Sequence, residues 1–91
     1  MLATSRVEMI RERLESQFSP TSLDIIDDSH KHVGHASAGG AGHFTVNIIA
    51  DAFSEKTLIQ RHRLVYDAVS DLMQVHIHAL SINARAPEEQ H

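Results

Sequence analysis

Apolar positions fall into two different periods along this chain, and the change of period marks its elements. Val7, Ile10, Leu14 and Phe18 recur at spacings of three, four and four, one face of a 3.6-residue repeat, which predicts a helix over residues 5–17. Ser5 followed by Glu8 is the pattern of a capping box, and Ser19-Pro20 supplies a stop. The run SLDIIDD at 22–28 is short, β-branched and bounded by turn formers, which predicts a strand. A clearer strand is predicted over 43–50, where Phe44, Val46 and Ile48 alternate with His43, Thr45 and Asn47. Helical spacing returns over 56–74, with Leu58, His62, Val65, Val69 and Leu72 along one stripe. A last strand over 75–85 runs up to Pro87, and a polar tail over 87–91 is expected to fray.

The expected fold is α+β, in the order α-β-β-α-β, as one domain over 1–91 with an ordered core at about 5–86. The first two strands should pair antiparallel. The helix between the second and third imposes a right-handed crossover and a parallel pair. The economical layout is a three-stranded mixed sheet with both helices on one face. Its expected core is Ile10, Leu14, Phe44, Val46, Ile48, Leu58, Val65, Val69, Leu72, Leu80 and Ile82.

Composition narrows the functional classes. No apolar run approaches the roughly 18 residues of a membrane span. The first residues lack the basic and apolar segments of a secretory signal, so a bacterial cytoplasm is the expectation. There is no cysteine, which excludes disulfides, thiolate zinc sites, a cysteine nucleophile and a self-sufficient four-cysteine cluster. Eight basic against twelve acidic residues give a net charge of −4, unfavourable for binding nucleic acid through phosphates. The second half is nonetheless slightly basic, through Lys56, Arg61, Arg63 and Arg85.

Eight histidines are the unusual count. His30, His32 and His35 lie in a long loop, residues 29–42 (SHKHVGHASAGGAG), whose glycines leave the backbone able to close on a ligand. That loop is expected to be mobile. His43 opens the second strand, where it would orient the loop or cap the strand end, while His76 and His78 open the third and would share a side. His62, in the apolar stripe, reads as a core histidine bonded to nearby backbone. The loop histidines alone could also take up zinc or nickel. No G-x-S-x-G, P-loop, dinucleotide fingerprint or H-E-x-x-H is present, so the expectation is that the chain is not an enzyme. Gly39-Gly40-Ala41-Gly42 contains G-x-x-G, but between strands and without flanking cations.

Four segments together carry a family resemblance: DDSHKH, HFTV, AFSEKTLIQRHRLVYDAVSDLM and IHALSINARAP. The most specific combination is Phe53 followed by Arg61-His62-Arg63, Val65 and Tyr66, and then His78-Ala79-Leu80. From about residue 5 to residue 88 the chain resembles the BolA family. The resemblance implies a KH-like α-β-β-α-β topology. It also implies partnership with a monothiol glutaredoxin, a [2Fe–2S] cluster being shared with that protein and its glutathione, and none being expected in the isolated chain. The implied ligands from this chain are His78 and one loop histidine, His32 or His35. Histidine can replace thiolate on one iron of such a cluster. A ligating imidazole must be neutral, so binding should weaken below about pH 6. The role so implied is an adaptor in iron–sulfur cluster assembly, transfer or iron-linked regulation. The alternative also attributed to this family is transcriptional regulation by DNA binding, for which Lys56, Arg61 and Arg63 are the candidate contacts. The isolated chain is expected to be a monomer or weak dimer, with no membrane association.

Overall fold

The computed structural model describes residues 5–28 and 42–89. Two helices, α1 (Arg6–Phe18) and α2 (Leu58–Ala68), and three strands, β1 (Ser22–Asp27), β2 (Gly42–Ile49) and β3 (Ile77–Arg85), follow in the order α1-β1-β2-α2-β3. The sheet order is β1-β2-β3, with β1 antiparallel and β3 parallel to the central β2. This is the expected α+β architecture. The segment expected to be a mobile loop, residues 29–42, lies outside the described residues except for Gly42, which opens β2.

Local chemistry explains the boundaries. Ser5 caps α1 by accepting the Glu8 N–H at 3.1 Å, and the Ser19 N–H returns to the Glu15 carbonyl at 3.0 Å from a left-handed backbone (φ 45°). That conformation lets the chain turn into Pro20 and β1. α2 begins with a full capping box, Thr57 and Gln60 exchanging side-chain and backbone bonds at 2.9 and 3.1 Å. The sequence pattern runs this helix on to residue 74, but it ends at Ala68. The chain tightens into a 3₁₀ turn (Ser70–Leu72), and Gln74 takes a positive φ of 75°. Apolar spacing continues past the helix end because a 3₁₀ turn keeps Val69 and Leu72 facing inward.

One apolar layer joins both helices to one face of the sheet. Ile10 and Leu14 from α1, Val65 from α2 and Val69 at its C-cap meet Phe44, Val46 and Ile48, the alternate buried positions of β2. Phe53, fully buried in a short 3₁₀ turn after β2, packs its ring 5.1 Å from that of Phe18. Ten of the eleven expected core residues are buried; Leu58 is 67% exposed. Its place against β3 is taken by Arg61, whose long side chain reaches back over the preceding turn of the helix. The same rotation puts His62 about 100° round the helix from Arg61. His62 is half-buried at the rim of a groove with Ile82 and Arg85 instead of in the core.

Among the described residues Arg61 is the buried charged side chain, 6% exposed, and each of its side-chain nitrogens is hydrogen-bonded. Its Nε donates to the Lys56 carbonyl at 2.9 Å and its Nη1 to the Ala84 carbonyl at 3.1 Å. Both terminal nitrogens grip the Glu89 carboxylate, at 2.7 and 2.8 Å. Glu89 also accepts the Ala86 N–H at 2.9 Å. A 3₁₀ turn (Pro87–Glu89) is thereby tied to α2, and the expected frayed tail is ordered as far as Glu89. Tyr66 contributes similarly, its hydroxyl donating to the Leu80 carbonyl at 3.0 Å. α2 thus occupies carbonyls on β3, an edge strand, which blunts the edge against pairing with another chain.

Two outcomes follow for stability. Phe53→Ala should lower the unfolding free energy by about 3–5 kcal/mol in denaturant titration, the usual cost of emptying a buried aromatic site. The Arg61 guanidinium first, and the Ala86 N–H second, lower the Glu89 carboxyl from 4.5 to about 2. A carboxylate held below its unfolded value stabilises above that value and loses its contribution as pH falls. Glu89→Gln should therefore melt at a lower temperature than the parent at pH 7. That gap should close as pH falls from about 4.5 towards 2.

Candidate functional site: a histidine pair at a bulge in the sheet

The start of β3 carries an irregularity that decides where His78 points. Gly42 of β2 is opposite Ile77, but His43 is opposite Ala79, so two steps on β3 face one on β2. His78 is the additional residue, which makes this a β-bulge. By strand alternation His78 would share the inward side with Leu80, Ile82 and Ala84, all buried. The bulge instead leaves it exposed, with its ring centroid 5.2 Å from that of His43 and the two planes tilted by 37°. His43, half-buried, belongs with Thr45, Asn47 and Ile49 on the face turned away from the helices.

The pair stands at the end of the sheet where residues 29–41 leave and return. On one side the Asp28 N–H bonds to the His43 carbonyl at 2.8 Å, continuing the β1–β2 ladder, and the Thr45 hydroxyl donates to the Asp28 carboxylate at 2.7 Å. On the other side the Gly42 N–H bonds to the His76 carbonyl at 3.0 Å. Both flanks of the histidine-rich segment are therefore fixed beside His43 and His78. His30, His32 and His35 lie outside the described residues. His76 is not a strand residue paired in phase with His78. It sits in the turn before β3, its N–H bonded to the Leu72 carbonyl at 2.9 Å.

His43 is the residue that sequence spacing undervalued. Alternation placed it on the open face, but only the bulge, which no periodicity reveals, brings His78 alongside it. Among the described residues no three or more potential metal ligands form a group. The pair offers two imidazoles, and any ion or cluster bound there would draw its other ligands from elsewhere. With no cysteine in the chain, it can complete a thiolate cluster only in partnership. Within that limit His78, with one further imidazole, fits half of a [2Fe–2S] ligand shell.

The nucleic-acid contacts expected from sequence do not survive as a set. Arg61 is buried in its bonds to Glu89 and two carbonyls and presents no cation to a phosphate. Lys56 and Arg63 are exposed, but the surface they line with Gln60 also contains Asp67.

Comparison with known proteins agrees with this architecture. A profile of the BolA family, described as "BolA-like protein", matches residues 14–89. The chain is 46% identical over 91 residues to SufE-like protein 1, chloroplastic/mitochondrial, of Arabidopsis thaliana, covering 93% of this chain and 24% of that protein. It is 30% identical over 82 residues to the DNA-binding transcriptional regulator BolA of Escherichia coli, covering 90% and 76% respectively. The solved BolA domain of SufE1 from Arabidopsis thaliana superposes with a TM-score of 0.83 at 42% identity, over 97% of this chain and 99% of that one. The chain thus spans about a quarter of the length of SufE-like protein 1. Among the described residues no helix is long and apolar enough to cross a membrane. Profile, sequence and superposition converge with the α-β-β-α-β fold: the chain belongs to the BolA family.

Proposed function

We propose that this chain is an adaptor that docks on a monothiol glutaredoxin and completes the ligand shell of a [2Fe–2S] cluster with histidines, serving cluster assembly, transfer or iron-linked regulation. The observation that carries the proposal is the exposed His78, placed by a bulge next to a second imidazole at the root of the histidine-rich segment. In this reading His78 is one ligand and His32 or His35, from residues 29–41, the other. The partner's cysteine and its glutathione would provide the thiolates this chain lacks. A cluster held partly by imidazole has a higher potential than an all-thiolate one. The chain's own contribution is a fixed base. β3 is anchored on β2, while the His78 ring faces solvent, so a partner can approach without unfolding anything.

DNA-binding regulation is the second reading, and the name of the Escherichia coli relative favours it. It has less to work with here. The net charge is −4, Arg61 belongs to the fold, and Asp67 shares the surface of Lys56 and Arg63.

Co-expression with a monothiol glutaredoxin, followed by visible absorption and circular dichroism of the purified complex, tests the first reading. His78→Ala should leave the isolated chain folded and the complex able to form, yet remove the mixed-ligand cluster spectrum. His32→Ala or His35→Ala alone should weaken that spectrum less, since the neighbouring histidine can substitute. An unchanged spectrum in the His78→Ala complex contradicts the proposal.

A further inference from the structure

The His43–His78 pair has a geometry that does not depend on a partner protein. Two imidazoles bound to one ion at about 2.1 Å, about 90–110° apart, put their ring centroids about 4.5–5.3 Å from each other. The observed separation is 5.2 Å. The pair is built on backbone that is already fixed. His43 lies on the central strand, its carbonyl held by the Asp28 N–H at 2.8 Å. His78 lies on the adjacent strand, paired through Ile77 and Ala79 to β2 on either side of the bulge. Preorganised imidazoles on rigid strands lose little conformational entropy on chelation. Because His78 is exposed, water can fill the remaining coordination positions. A ligating imidazole uses one ring nitrogen and keeps the other for a hydrogen bond, so a bonded neighbour on either ring is compatible with chelation.

We propose that His43 and His78 form a chelate for a single borderline divalent transition ion in the chain alone, separate from any cluster shared with a partner. Two imidazoles with water suit the tetragonal preferences of copper(II) and nickel(II) better than zinc, whose closed sites need four protein ligands. Affinity should follow cobalt < nickel < copper, with zinc below copper, and magnesium and calcium should not compete. An ion there would occupy the same His78 ring that the proposed cluster needs, making the two occupants mutually exclusive. That consequence rests on the glutaredoxin reading; the ion site itself does not.

The histidines of residues 29–41 could chelate metal by themselves, so the test removes them first. In the chain carrying His30→Asn, His32→Asn and His35→Asn, without glutaredoxin or glutathione, nickel chloride is titrated by calorimetry in a non-coordinating buffer. Binding should remain at one ion per chain, within about threefold of the parent. Adding His78→Asn or His43→Asn should weaken it by about tenfold or more. Copper(II) in the triple variant should show two nitrogen ligands by electron paramagnetic resonance. Far-ultraviolet circular dichroism verifies the fold, and His78→Asn, at an exposed position, decides the outcome if His43→Asn proves unstable. Loss of nickel binding in the triple variant, or binding there that survives His78→Asn, overturns the proposal. Neither result bears on the cluster, which is read separately from the His78→Ala complex.

Discussion

The slip of register between β2 and β3 at Gly42/His43 settles the orientation of everything at that end of the sheet. A parallel pair in uninterrupted register would send His78 inward with Leu80 and Ile82, where an imidazole would displace apolar packing. One additional residue on β3 removes that conflict and turns the same side chain onto the open face beside His43. The core loses nothing, because Ile77 remains fully buried on the near side of the bulge and Leu80 remains buried beyond it. Bulges commonly re-aim one side chain next to functional sites, and here the side chain re-aimed is an imidazole.

The opposite end of the sheet is governed by Arg61. Within the Arg61-His62-Arg63 run one cation is internal and the other, two residues on, is in solvent. A buried guanidinium tolerates low dielectric only when its donors are matched, and Arg61 finds two carbonyls and a bidentate carboxylate. That network joins the N-terminal end of α2, the last residues of β3 and the turn at Glu89. It fixes α2 along β3 while leaving the histidine end of the strand clear. The work is divided along β3: its C-terminal end is tied down by charge, and its N-terminal end presents the His78 imidazole.

Much of this was legible in the sequence because alternation and helical spacing depend only on which side a residue faces. Phe44, Val46 and Ile48 identified the buried face of β2, and Ile10 and Leu14 that of α1. The parallel β2–β3 pair followed from the helix between them. Three things were not legible. Leu58 and Arg61 exchange the positions that hydropathy assigns them, since Arg61 has partners distant in sequence, at Ala84 and Glu89. The end of α2 is set by a 3₁₀ turn that preserves the apolar spacing. The neighbour of His78 depends on a bulge, which leaves no trace in periodicity. The family resemblance pointed to His78, but His43 emerged as its neighbour only from the register.

The central proposal is that His78 ligates iron on the open face of the sheet when the chain docks on a monothiol glutaredoxin. Anomalous diffraction at the iron edge, on crystals of the chain with a monothiol glutaredoxin and its glutathione, locates the irons directly. The account predicts an iron at a coordination distance of about 2.1 Å from a His78 ring nitrogen, on the side of the sheet away from α1 and α2. Irons held entirely by cysteine and glutathione sulfur, with the His78 ring outside bonding distance, would contradict it.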